Sequence, residues 1–446
     1  MNSQKTILKN LQERFPWQEN FLATAEEVSR DIVPYMESIN ATEEDYRLLE
    51  RMLEPERVIS FKVVWEDDAG NTQMNRGYRV QFNSARGPYK GGLRFDPSVN
   101  LDVLKFLALE QTFKNALTGL PLGSGKGGAD FDPRDRSDAE IKRFCQAFVT
   151  ELYRYIGEQT DVPAGDIGVS GREIGYMYGQ YKRIANKHTG ILTGKGPEFG
   201  GSCGRIEATG YGVVYLAEHV LQSIGESLEG KTAVVSGAGN VASHVAKKLI
   251  DKGTKVLTLS EKDGYAYTQN GITSEQLQTI IDGKDERKQL SEIVENIEGL
   301  EFVSDKKPWR EVKADLYFPS ATQNELDADD AKAIVDSGAI MLCEAANMPS
   351  TNNAVEALQK SEVIFVPAKA ANAGGVAVSG LEMAQNAGHD AWTTDKVDER
   401  LQIIMKQIFE TMQKYGEDKD GNIDYAKGAN IGGFVKVFEA MKGLGW

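Results

Sequence analysis

The sequence predicts an α/β fold in two domains, an N-terminal domain with a mixed sheet and a second domain with a doubly wound parallel sheet. Length is the first reason, because 446 residues, 41% of them apolar, suggest about two domains of ~200 residues. The second reason is a change of pattern near residue 200. Before it, two runs of alternating apolar residues flank the turn 67–71 and indicate an antiparallel hairpin. After it, short apolar strands alternate with helical stretches, as in a parallel sheet.

Charge and cysteine pattern exclude several classes of protein. With 51 basic and 66 acidic residues, the chain has a formal charge of -15, which repels nucleic acid and anionic membranes. No 18 apolar residues run together, and the first 20 residues lack the apolar segment of a signal peptide. The three cysteines have no CxxC spacing and the four histidines form no metal-ligand pair. We therefore expect a cytoplasmic protein without a metal site, binding neither nucleic acid nor membrane.

The first 200 residues are predicted to form helices, one hairpin and glycine-rich turns. Apolar residues spaced three and four apart indicate helices, and alternating apolar residues indicate strands. The predicted elements are helices within 21–53, strands Val58–Glu66 and Met74–Phe82, and helices Val103–Thr118 and Asp138–Tyr155. The hairpin leads directly into the first glycine-rich turn.

Two glycine-rich turns each hold a lysine. Lys90 lies in the segment 87–95, and Lys126 lies among four glycines in the segment 121–133. Glycines let a backbone approach a ligand closely, which would make Lys126 a catalytic group in a tight cleft. A flexible turn with a solvated lysine is the alternative, and the motif alone does not decide between them. It is not a phosphate-binding P-loop, because Gly127 follows the lysine where that motif needs Ser or Thr.

Three polar residues near these turns are further candidates. Gln111 and Lys114 are three residues apart on a predicted helix, so they share the face that leads to the Lys126 segment. An exposed polar face is the simpler interpretation of this pair. Asp166, between Gly165 and an apolar residue, suits either a turn-forming aspartate or a placed carboxylate.

Residues 231–261 carry the pattern of a dinucleotide-binding unit. A short β-branched strand is followed by Gly237-x-Gly239-x-x-Ala242, a helix, a second strand and then Glu261. This order and the separation of ~20 residues between turn and acid are those of a Rossmann unit. We expect the pyrophosphate at the start of the helix, where unpaired N–H groups and the helix dipole favour anions. A domain boundary is placed near 194–204, where glycine becomes frequent.

Three more strands follow, and each ends in small, amide-rich residues. The predicted strands are Ala314–Phe318, Ala339–Cys343 and Val363–Val366, with helices at Ala328–Asp336, Asn353–Gln359 and Val397–Tyr415 and a tail at Ala429–Met441. Ligands of doubly wound sheets bind at the carboxyl ends of strands. The segments there, 320–324, 345–348 with Asn347 and 369–375 with Asn372, suit a nicotinamide and its ribose.

Several blocks resemble the hexameric glutamate dehydrogenase family, which also includes leucine, phenylalanine and valine dehydrogenases. The resemblance runs from about residue 20 to the C-terminus and is strongest to the bacterial NADP-specific type. The blocks are EPER at 54–57, GPYKGGLRF at 87–95, PLGSGKGGADFDP at 121–133, DVPAGDIGV at 161–169, EATGYG at 207–212, SGAGNVA at 236–242, ATQNELD at 321–327 and KAANAGGVAVSGLEM at 369–383.

The resemblance implies a domain organisation, a reaction and a role for each site residue. The domains would be residues 1–200 for substrate binding and oligomerisation, 201–425 for the dinucleotide, and 426–446 returning to the first domain. The reaction would be NAD(P)-dependent deamination of L-glutamate to 2-oxoglutarate and ammonium in a homohexamer. Lys126 would be the catalytic lysine and Asp166 its proton-transfer partner. Glutamate would be held by Lys90, Gln111, Lys114, Gly165 and Ser379. The cofactor would be contacted by Thr209, Gly237, Gly239, Asn240, Val241, Glu261, Lys262, Asn347 and Asn372.

The sequence also departs from the family pattern. Ser124 stands in the lysine loop where relatives usually carry glycine, and Ser170, Cys203-Gly204, Ser320 and 343–345 differ as well. None of these changes removes a proposed functional side chain, so they concern the fine geometry of the site.

Two other functions fit parts of the pattern. A leucine, phenylalanine or valine dehydrogenase resembles the family but has an apolar residue where Lys90 stands, and Lys90 favours an acidic substrate side chain. A nucleotide-sensing regulator without catalysis would keep the dinucleotide domain. It would have no chemical need for both Lys126 and Asp166.

The choice of cofactor depends on charges at the end of the second strand of the Rossmann unit. Glu261 favours NAD, because a carboxylate accepts from a ribose hydroxyl and repels a 2′-phosphate. Lys262 adjoins it, and Lys284, Arg287 and Lys288 lie on a later segment that could fold over a phosphate. The Gly-Ala-Gly turn resembles the NADP-using bacterial members, so we predict NADP, with NAD as the alternative.

Overall fold

The structure, a computed structural model, describes residues 4–446, which divide into two compact units. The first unit contains the chain up to Cys203 together with Val376–Val397 and Asn430–Trp446, and the second contains Gly204–Gly375 and Asp398–Ala429. The predicted domains had placed all of 201–425 in one domain. The chain instead returns to the first unit twice, and helix periodicity alone carries no information about which unit a helix joins.

Within residues 4–446, twelve strands form two sheets. The strands are β1 (Arg57–Glu66), β2 (Thr72–Asn83), β3 (Tyr89–Phe95), β4 (Ser124–Ala129), β5 (Asp161–Gly165), β6 (Thr232–Val235), β7 (Lys255–Glu261), β8 (Gly264–Tyr267), β9 (Glu301–Ser304), β10 (Leu316–Phe318), β11 (Met341–Cys343) and β12 (Ile364–Val366).

The described part of the chain also forms sixteen α-helices, and every helix predicted from the sequence is present among them. They are α1 (Gln4–Arg14), α2 (Glu19–Ser38), α3 (Glu43–Met52), α4 (Leu101–Leu117), α5 (Asp138–Leu152), α6 (Gly171–Ala185), α7 (Ala208–Ser223), α8 (Asn240–Asp251), α9 (Ser274–Asp285), α10 (Leu290–Val294), α11 (Ala328–Asp336), α12 (Asn352–Gln359), α13 (Ala368–Ala371), α14 (Gly374–Gly388), α15 (Thr394–Gly416) and α16 (Tyr425–Leu444).

The sheet of the first unit is mixed, in the order β1-β2-β4-β3-β5. β1 and β2 form the predicted hairpin, and β2 pairs antiparallel with β4. β3 runs parallel to both β4 and β5. The predicted mixed sheet is therefore confirmed, and its three parallel strands all end at one edge.

The two glycine-rich turns predicted around Lys90 and Lys126 are wrong, because both segments are buried strands, β3 and β4. Glycine normally weakens a strand, but it also lets two backbones approach closely. A Cβ on Gly91 would lie 1.7 Å from the carbonyl oxygen of Gly125. The glycines therefore serve strand packing here, which the sequence pattern does not distinguish from a turn.

Aromatic side chains fill the core on one face of this sheet. Phe131 stacks on Phe144 of α5 with ring centroids 3.8 Å apart, and Phe95 of β3 meets Phe144 edge to face at 5.0 Å. Helix α5 begins where Ser137 caps it, since the Ser137 hydroxyl accepts from the Glu140 N–H and the Glu140 carboxylate accepts from the Ser137 N–H. This packing buries the face of β3 that carries Phe95, and the neighbouring Arg94 points to the opposite face.

The sheet of the second unit has seven strands in the order β12-β11-β10-β6-β7-β8-β9. The five strands from β12 to β7 are parallel, and β8 and β9 add an antiparallel edge. The predicted doubly wound sheet is confirmed, while the antiparallel edge was not predicted because both strands have only four residues. The strand order reverses direction between β6 and β10, where such sheets bind ligands.

Residues 4–446 contain neither a helix suited to span a membrane nor a cluster of metal ligands. None of the described helices is long and apolar enough to cross a membrane. Within the same residues, no group of three or more His, Cys, Asp or Glu side chains is placed to hold a metal ion.

Candidate active site

The parallel strands of the first unit bring three charged residues together. Lys126 lies on β4, Arg94 lies on β3, and Asp166 directly follows β5. Leu93 of β3 is paired with Gly127 of β4 on one side and with Gly165 of β5 on the other. The residues next to Leu93, Gly127 and Gly165 along their strands therefore lie close to one another across the sheet.

The three charges form one buried group. The Lys126 Nζ lies 3.0 Å from the Asp166 Oδ2, and the Arg94 Nε donates to the same oxygen at 2.9 Å. The Lys126 and Asp166 side chains are 6% and 15% exposed. Because two cations share one carboxylate, the group has an excess of positive charge in a site largely closed to water.

Burial and charge shift the pKa values of this pair in ways that suit acid–base chemistry. Burial lowers the pKa of the Lys126 ammonium, the Asp166 carboxylate opposes that shift, and Arg94 adds to it. Burial alone would raise the pKa of Asp166, but the cations of Lys126 and Arg94 outweigh it and lower the value to about 2. Asp166 is therefore ionised at every ordinary pH, and Lys126 releases its proton more easily than a surface lysine.

A glycine on the neighbouring strand sets the position of Asp166. A Cβ on Gly92 would lie 2.8 Å from the Cβ of Asp166 and 2.9 Å from the carbonyl oxygen of Gly165. Any side chain there would push the carboxylate away from Lys126. Gly165, predicted to contribute backbone to substrate binding, lies at this close contact as the last residue of β5.

The side chains predicted to hold the substrate lie on β3 and α4. Lys90 is a buried residue of β3, and Gln111 and Lys114 lie on α4. The buried Asn115 joins the two elements: its Nδ2 donates to the Lys90 carbonyl at 3.0 Å, and its Oδ1 accepts from the Gln111 Nε2 at 2.5 Å. The predicted face of α4 is thus fastened to the strand that carries Lys90.

Ser379 reaches the same unit from far along the chain. It is buried on α14, within the segment that returns to the first unit. A Cβ on the next residue, Gly380, would lie 2.6 Å from the Leu120 side chain and 3.2 Å from that of Leu122. Helix α14 therefore packs on the turn that leads into β4, the strand of Lys126.

Ser124, whose effect the sequence did not predict, makes a specific contact. Its hydroxyl lies 2.6 Å from that of Thr112 on α4, and the Thr112 hydroxyl also donates to the Ala108 carbonyl at 3.1 Å. The Ser124 and Thr112 hydroxyls therefore share a hydrogen bond that either of them can donate. The serine thus links β4 to α4.

We expect Ser124→Ala to lower the free energy of unfolding by about 1–2 kcal/mol, because a buried hydroxyl loses its partner, and to leave kcat within about twofold. Chemical denaturation and steady-state rates measure the two effects. Thr112→Val should cost a similar amount, and the double variant little more than either single change. A large loss of kcat in Ser124→Ala would instead place Ser124 in the reaction site.

Sequence reasoning missed three residues here. Arg94 shares a strand face with Lys90 and Gly92, because alternate residues of a strand point the same way, and predicting β3 as a strand would have revealed it. Arg79 is buried and holds Asp161 through two hydrogen bonds of 2.9 and 2.5 Å. Thr193 donates its N–H to Pro163 of β5 at 3.1 Å, and its buried hydroxyl has no partner within residues 4–446. No motif marked Thr193.

A cavity of about 420 Å³ also lies in the first unit, away from these residues. Tyr178, Lys195, Phe199 and Asn386 are among its lining residues, and no predicted site residue is. The largest part of this cavity's lining therefore comes from residues outside the predicted site.

In the second unit, the turn after β6 fits a dinucleotide. Gly237 has φ +83°, a conformation that favours glycine, and its N–H donates to the Ser260 hydroxyl at 2.9 Å. Helix α8 starts at Asn240 after Gly239, which provides no side-chain cap in the described structure. The first N–H groups of α8, including that of Val241, are thus available to an anion such as a pyrophosphate.

The amide-rich strand ends contribute an unsatisfied acceptor. The Asn372 Nδ2 donates to the Ala345 carbonyl at 3.1 Å and to the Asn347 Oδ1 at 2.9 Å. The Asn372 Oδ1 is buried and has no hydrogen-bond partner in the part of the chain that the structure describes. A carboxamide N–H of a nicotinamide would satisfy it, so the residues present fit the predicted cofactor.

Two other predicted cofactor residues lie in the same unit with defined neighbours. A Cβ on Gly375 would lie 2.5 Å from the Thr209 hydroxyl oxygen, so α7 and the start of α14 are in contact there. The Asn240 Nδ2 donates to the Ile206 carbonyl at 2.9 Å, which ties the turn to the residues before α7.

Glu261, at the end of β7, is engaged on both carboxylate oxygens. Its Oε1 pairs with the Lys284 ammonium, and its Oε2 accepts from the Leu290 N–H at 2.7 Å. Lys262 beside it is exposed. The segment with Lys284 folds against the end of β7, where the sequence placed the adenosine ribose.

Comparison with family models and curated proteins covers nearly the whole chain. Residues 200–445 match the model "Glutamate/Leucine/Phenylalanine/Valine dehydrogenase", and residues 55–183 match the model "Glu/Leu/Phe/Val dehydrogenase, dimerisation domain". The chain is 50% identical to a glutamate dehydrogenase of Bacteroides thetaiotaomicron, with all of both proteins covered. It is 51% identical to an NADP-specific glutamate dehydrogenase of Chlorella sorokiniana, over 99% of this chain and 84% of that protein.

Solved structures agree with these matches. The crystal structure of Plasmodium falciparum glutamate dehydrogenase is 48% identical and superposes with a TM-score of 0.97, covering 99% of this chain and 94% of that one. A hetero-hexameric glutamate dehydrogenase from Thermus thermophilus is 26% identical with a TM-score of 0.81, covering 90% and 92%. The family resemblance read from the motifs is thereby confirmed, and the chain belongs to the glutamate/leucine/phenylalanine/valine dehydrogenase family.

Proposed function

We propose that the protein catalyses the reversible oxidative deamination of L-glutamate to 2-oxoglutarate and ammonium, with NADP or NAD as cofactor. The observation that carries the proposal is the buried group of Lys126, Asp166 and Arg94, which come from three neighbouring strands of one sheet. Glutamate-dependent reduction of either cofactor by the purified protein tests it. Faster turnover of leucine than glutamate would favour a branched-chain dehydrogenase, and no turnover of any amino acid would favour the nucleotide-sensing regulator.

In the proposed reaction the residues of the first unit move protons and hold charge. A bound nicotinamide supplies the acceptor for the hydride that leaves the α-carbon of glutamate. Lys126 takes a proton from the water that attacks the resulting substrate iminium, because burial lowers the pKa of its ammonium. Asp166 transfers the protons of the departing amino group, and Arg94 keeps its carboxylate ionised and oriented.

The choice of glutamate rests on cations that match its two carboxylates. We assign the α-carboxylate to Gln111 and Lys114 on α4, since every amino-acid substrate has that group. Lys90 and Ser379 then face the side-chain carboxylate. A lysine ammonium is a compact cation that can bind the side-chain carboxylate of a dicarboxylate substrate. Curated relatives of similar length are named glutamate dehydrogenases, which agrees with this assignment.

For the cofactor we propose a preference for NADP over NAD. The Lys284 ammonium neutralises Glu261, the carboxylate that would otherwise repel a 2′-phosphate. Relatives of nearly equal identity include an NADP-specific enzyme of Haemophilus influenzae and an NAD-specific enzyme of Bacteroides fragilis, so overall identity does not decide the preference.

Lys284→Ala is expected to lower kcat/KM for NADP about tenfold and to change it for NAD less than about threefold, because Glu261 becomes an unopposed charge that can still accept from a ribose hydroxyl. Lys360→Ala is the control: it removes an exposed lysine of the same unit that pairs with Glu356 at 3.5 Å. Equal losses for both cofactors in Lys284→Ala would contradict the proposed phosphate preference.

We also propose that the protein works as a homohexamer in the cytoplasm. β1 is an edge strand of its sheet and carries the exposed apolar residues Val58 and Val64, with Met74 exposed on β2. Exposed apolar residues on a sheet edge are typical of an interface. Light scattering should give a mass six times that of the chain.

The three cysteines form no disulfide in the described structure, as suits a reducing compartment.

A further inference from the structure

A fully buried ion pair joins two distant parts of the first unit. The Lys195 Nζ lies 2.6 Å from the Glu382 Oε1, and the two side chains are 1% and 0% exposed. The Lys195 Nζ also donates to the Leu192 carbonyl, and the Glu382 Oε2 accepts from the Gly194 N–H at 2.9 Å. Both carboxylate oxygens of Glu382 on α14 are therefore held by the segment 192–195.

Both ends of this pair belong to elements that carry site residues. Glu382 lies on α14 three residues after Ser379, which places the two side chains on the same side of the helix one turn apart. The segment 192–195 contains Thr193, whose N–H donates to Pro163 on β5 at 3.1 Å. β5 ends at Gly165, directly before Asp166. A continuous chain of contacts thus runs from Ser379 through the ion pair to the proton-transfer group.

Stability alone is a weak explanation for such a pair. Moving two charges out of water costs free energy that their attraction often does not recover, and well-packed apolar residues commonly replace such pairs without loss. What a buried pair does provide is a unique geometry, because any shift of one partner leaves the other charge unsatisfied. We therefore explain the pair by its effect on α14, which it holds in one position relative to the segment 192–195.

We propose that Lys195 and Glu382 are positioning residues that hold Ser379 at a fixed distance from the Asp166 end of β5 and thereby set the selectivity for a substrate with a side-chain carboxylate. This inference rests on the proposed function. The pair touches no reacting atom, and its effect passes through Ser379. Selectivity is sensitive to such placement, because a polar site that is slightly displaced loses its advantage for the matching substrate.

The test compares L-glutamate with L-2-aminopentanoate, which has a five-carbon chain and no side-chain carboxylate. In Glu382→Gln and in Lys195→Met, we expect kcat/KM for glutamate to fall about 30-fold or more, mainly through KM, while the value for 2-aminopentanoate stays within about threefold. Lys195→Arg keeps the charge and should recover part of the selectivity. Lys442→Met, which breaks the Lys442–Asp45 pair elsewhere in the unit, should leave kcat/KM for both substrates unchanged.

Each result decides something. Equal losses for both substrates, or unchanged selectivity, would overturn the inference and make the pair purely structural. If a single variant does not fold, the double variant Lys195→Met with Glu382→Met removes both charges and should still lose selectivity for glutamate; wild-type selectivity there would also overturn the inference. A wild-type protein inactive on glutamate would instead contradict the proposed function.

Discussion

Lys126→Met is expected to lower kcat for glutamate by about 10³ to 10⁴-fold, the largest effect of any single change in the first unit. The variant removes the group proposed to take a proton from water, and general base catalysis typically contributes 10²- to 10⁴-fold. It also leaves Asp166 with one cation fewer. Methionine fills most of the space of the lysine stem, so packing changes little. Steady-state rates measure the loss, and the Kd for NADP, measured separately, should stay within about twofold.

Lys126→Arg distinguishes proton transfer by Lys126 from the effect of its positive charge. A guanidinium keeps the positive charge beside Asp166 but does not lose its proton at accessible pH. If Lys126 acts as a base, this variant should be nearly as slow as Lys126→Met. An arginine variant with more than about a tenth of wild-type kcat would contradict the role as base and leave only charge stabilisation.

The wild-type pH profile tests the same role. The rate of deamination should rise with pH as the Lys126 ammonium loses its proton, and burial places that rise below the range of an ordinary lysine. Ionisation of Asp166 should cause no further change of rate in the pH range of the assay, because its pKa is about 2. The rise attributed to Lys126 should be absent from the residual activity of Lys126→Arg.

The glycine turn of the dinucleotide unit and the strands β6 and β7 beside it could be predicted because their signals are local. The turn at Gly237 and Gly239 requires glycine for its own backbone, and Glu261 follows at a fixed distance along one βαβ unit. Ser260 and Glu261 end the next strand, which pairs directly with β6. Each of these constraints acts within about 30 residues, so a single sequence is enough to reveal them.

The substrate unit was predicted less well because its constraints come from residues far apart. The glycines of β3 and β4 were interpreted as turns, since the contact that requires Gly91 comes from the carbonyl of Gly125 on another strand. A turn has no alternating faces, so the strand face that Lys90 and Arg94 share could not be predicted from that interpretation of β3. The return of α14 depends on contacts such as Gly194 to Glu382, which are 188 residues apart. Periodicity predicts that a helix exists but not which surface it packs on.

Lys90→Leu is expected to lower kcat/KM for glutamate by about 10³-fold, or about 4 kcal/mol at 1.36 kcal/mol per tenfold change. Lys90 is buried on β3, and Asn115 fastens the strand to α4 at that residue's carbonyl, so water cannot readily replace the missing ammonium. A buried carboxylate without its cation accounts for a loss of this size. The same variant should gain activity toward 2-aminopentanoate and leucine, since leucine at this position offers an apolar wall to an apolar side chain.

Lys114→Leu is the matched control for that switch. It removes a lysine from α4 that we assign to the α-carboxylate, which glutamate, leucine and 2-aminopentanoate all possess. Its losses should therefore be similar for all three substrates, whereas Lys90→Leu should invert their order. If the two variants gave the same pattern, the assignment of Lys90 to the side-chain carboxylate would be wrong. The inversion, measured as the ratio of kcat/KM values, would show that the charge on β3 rather than the shape of the fold selects glutamate.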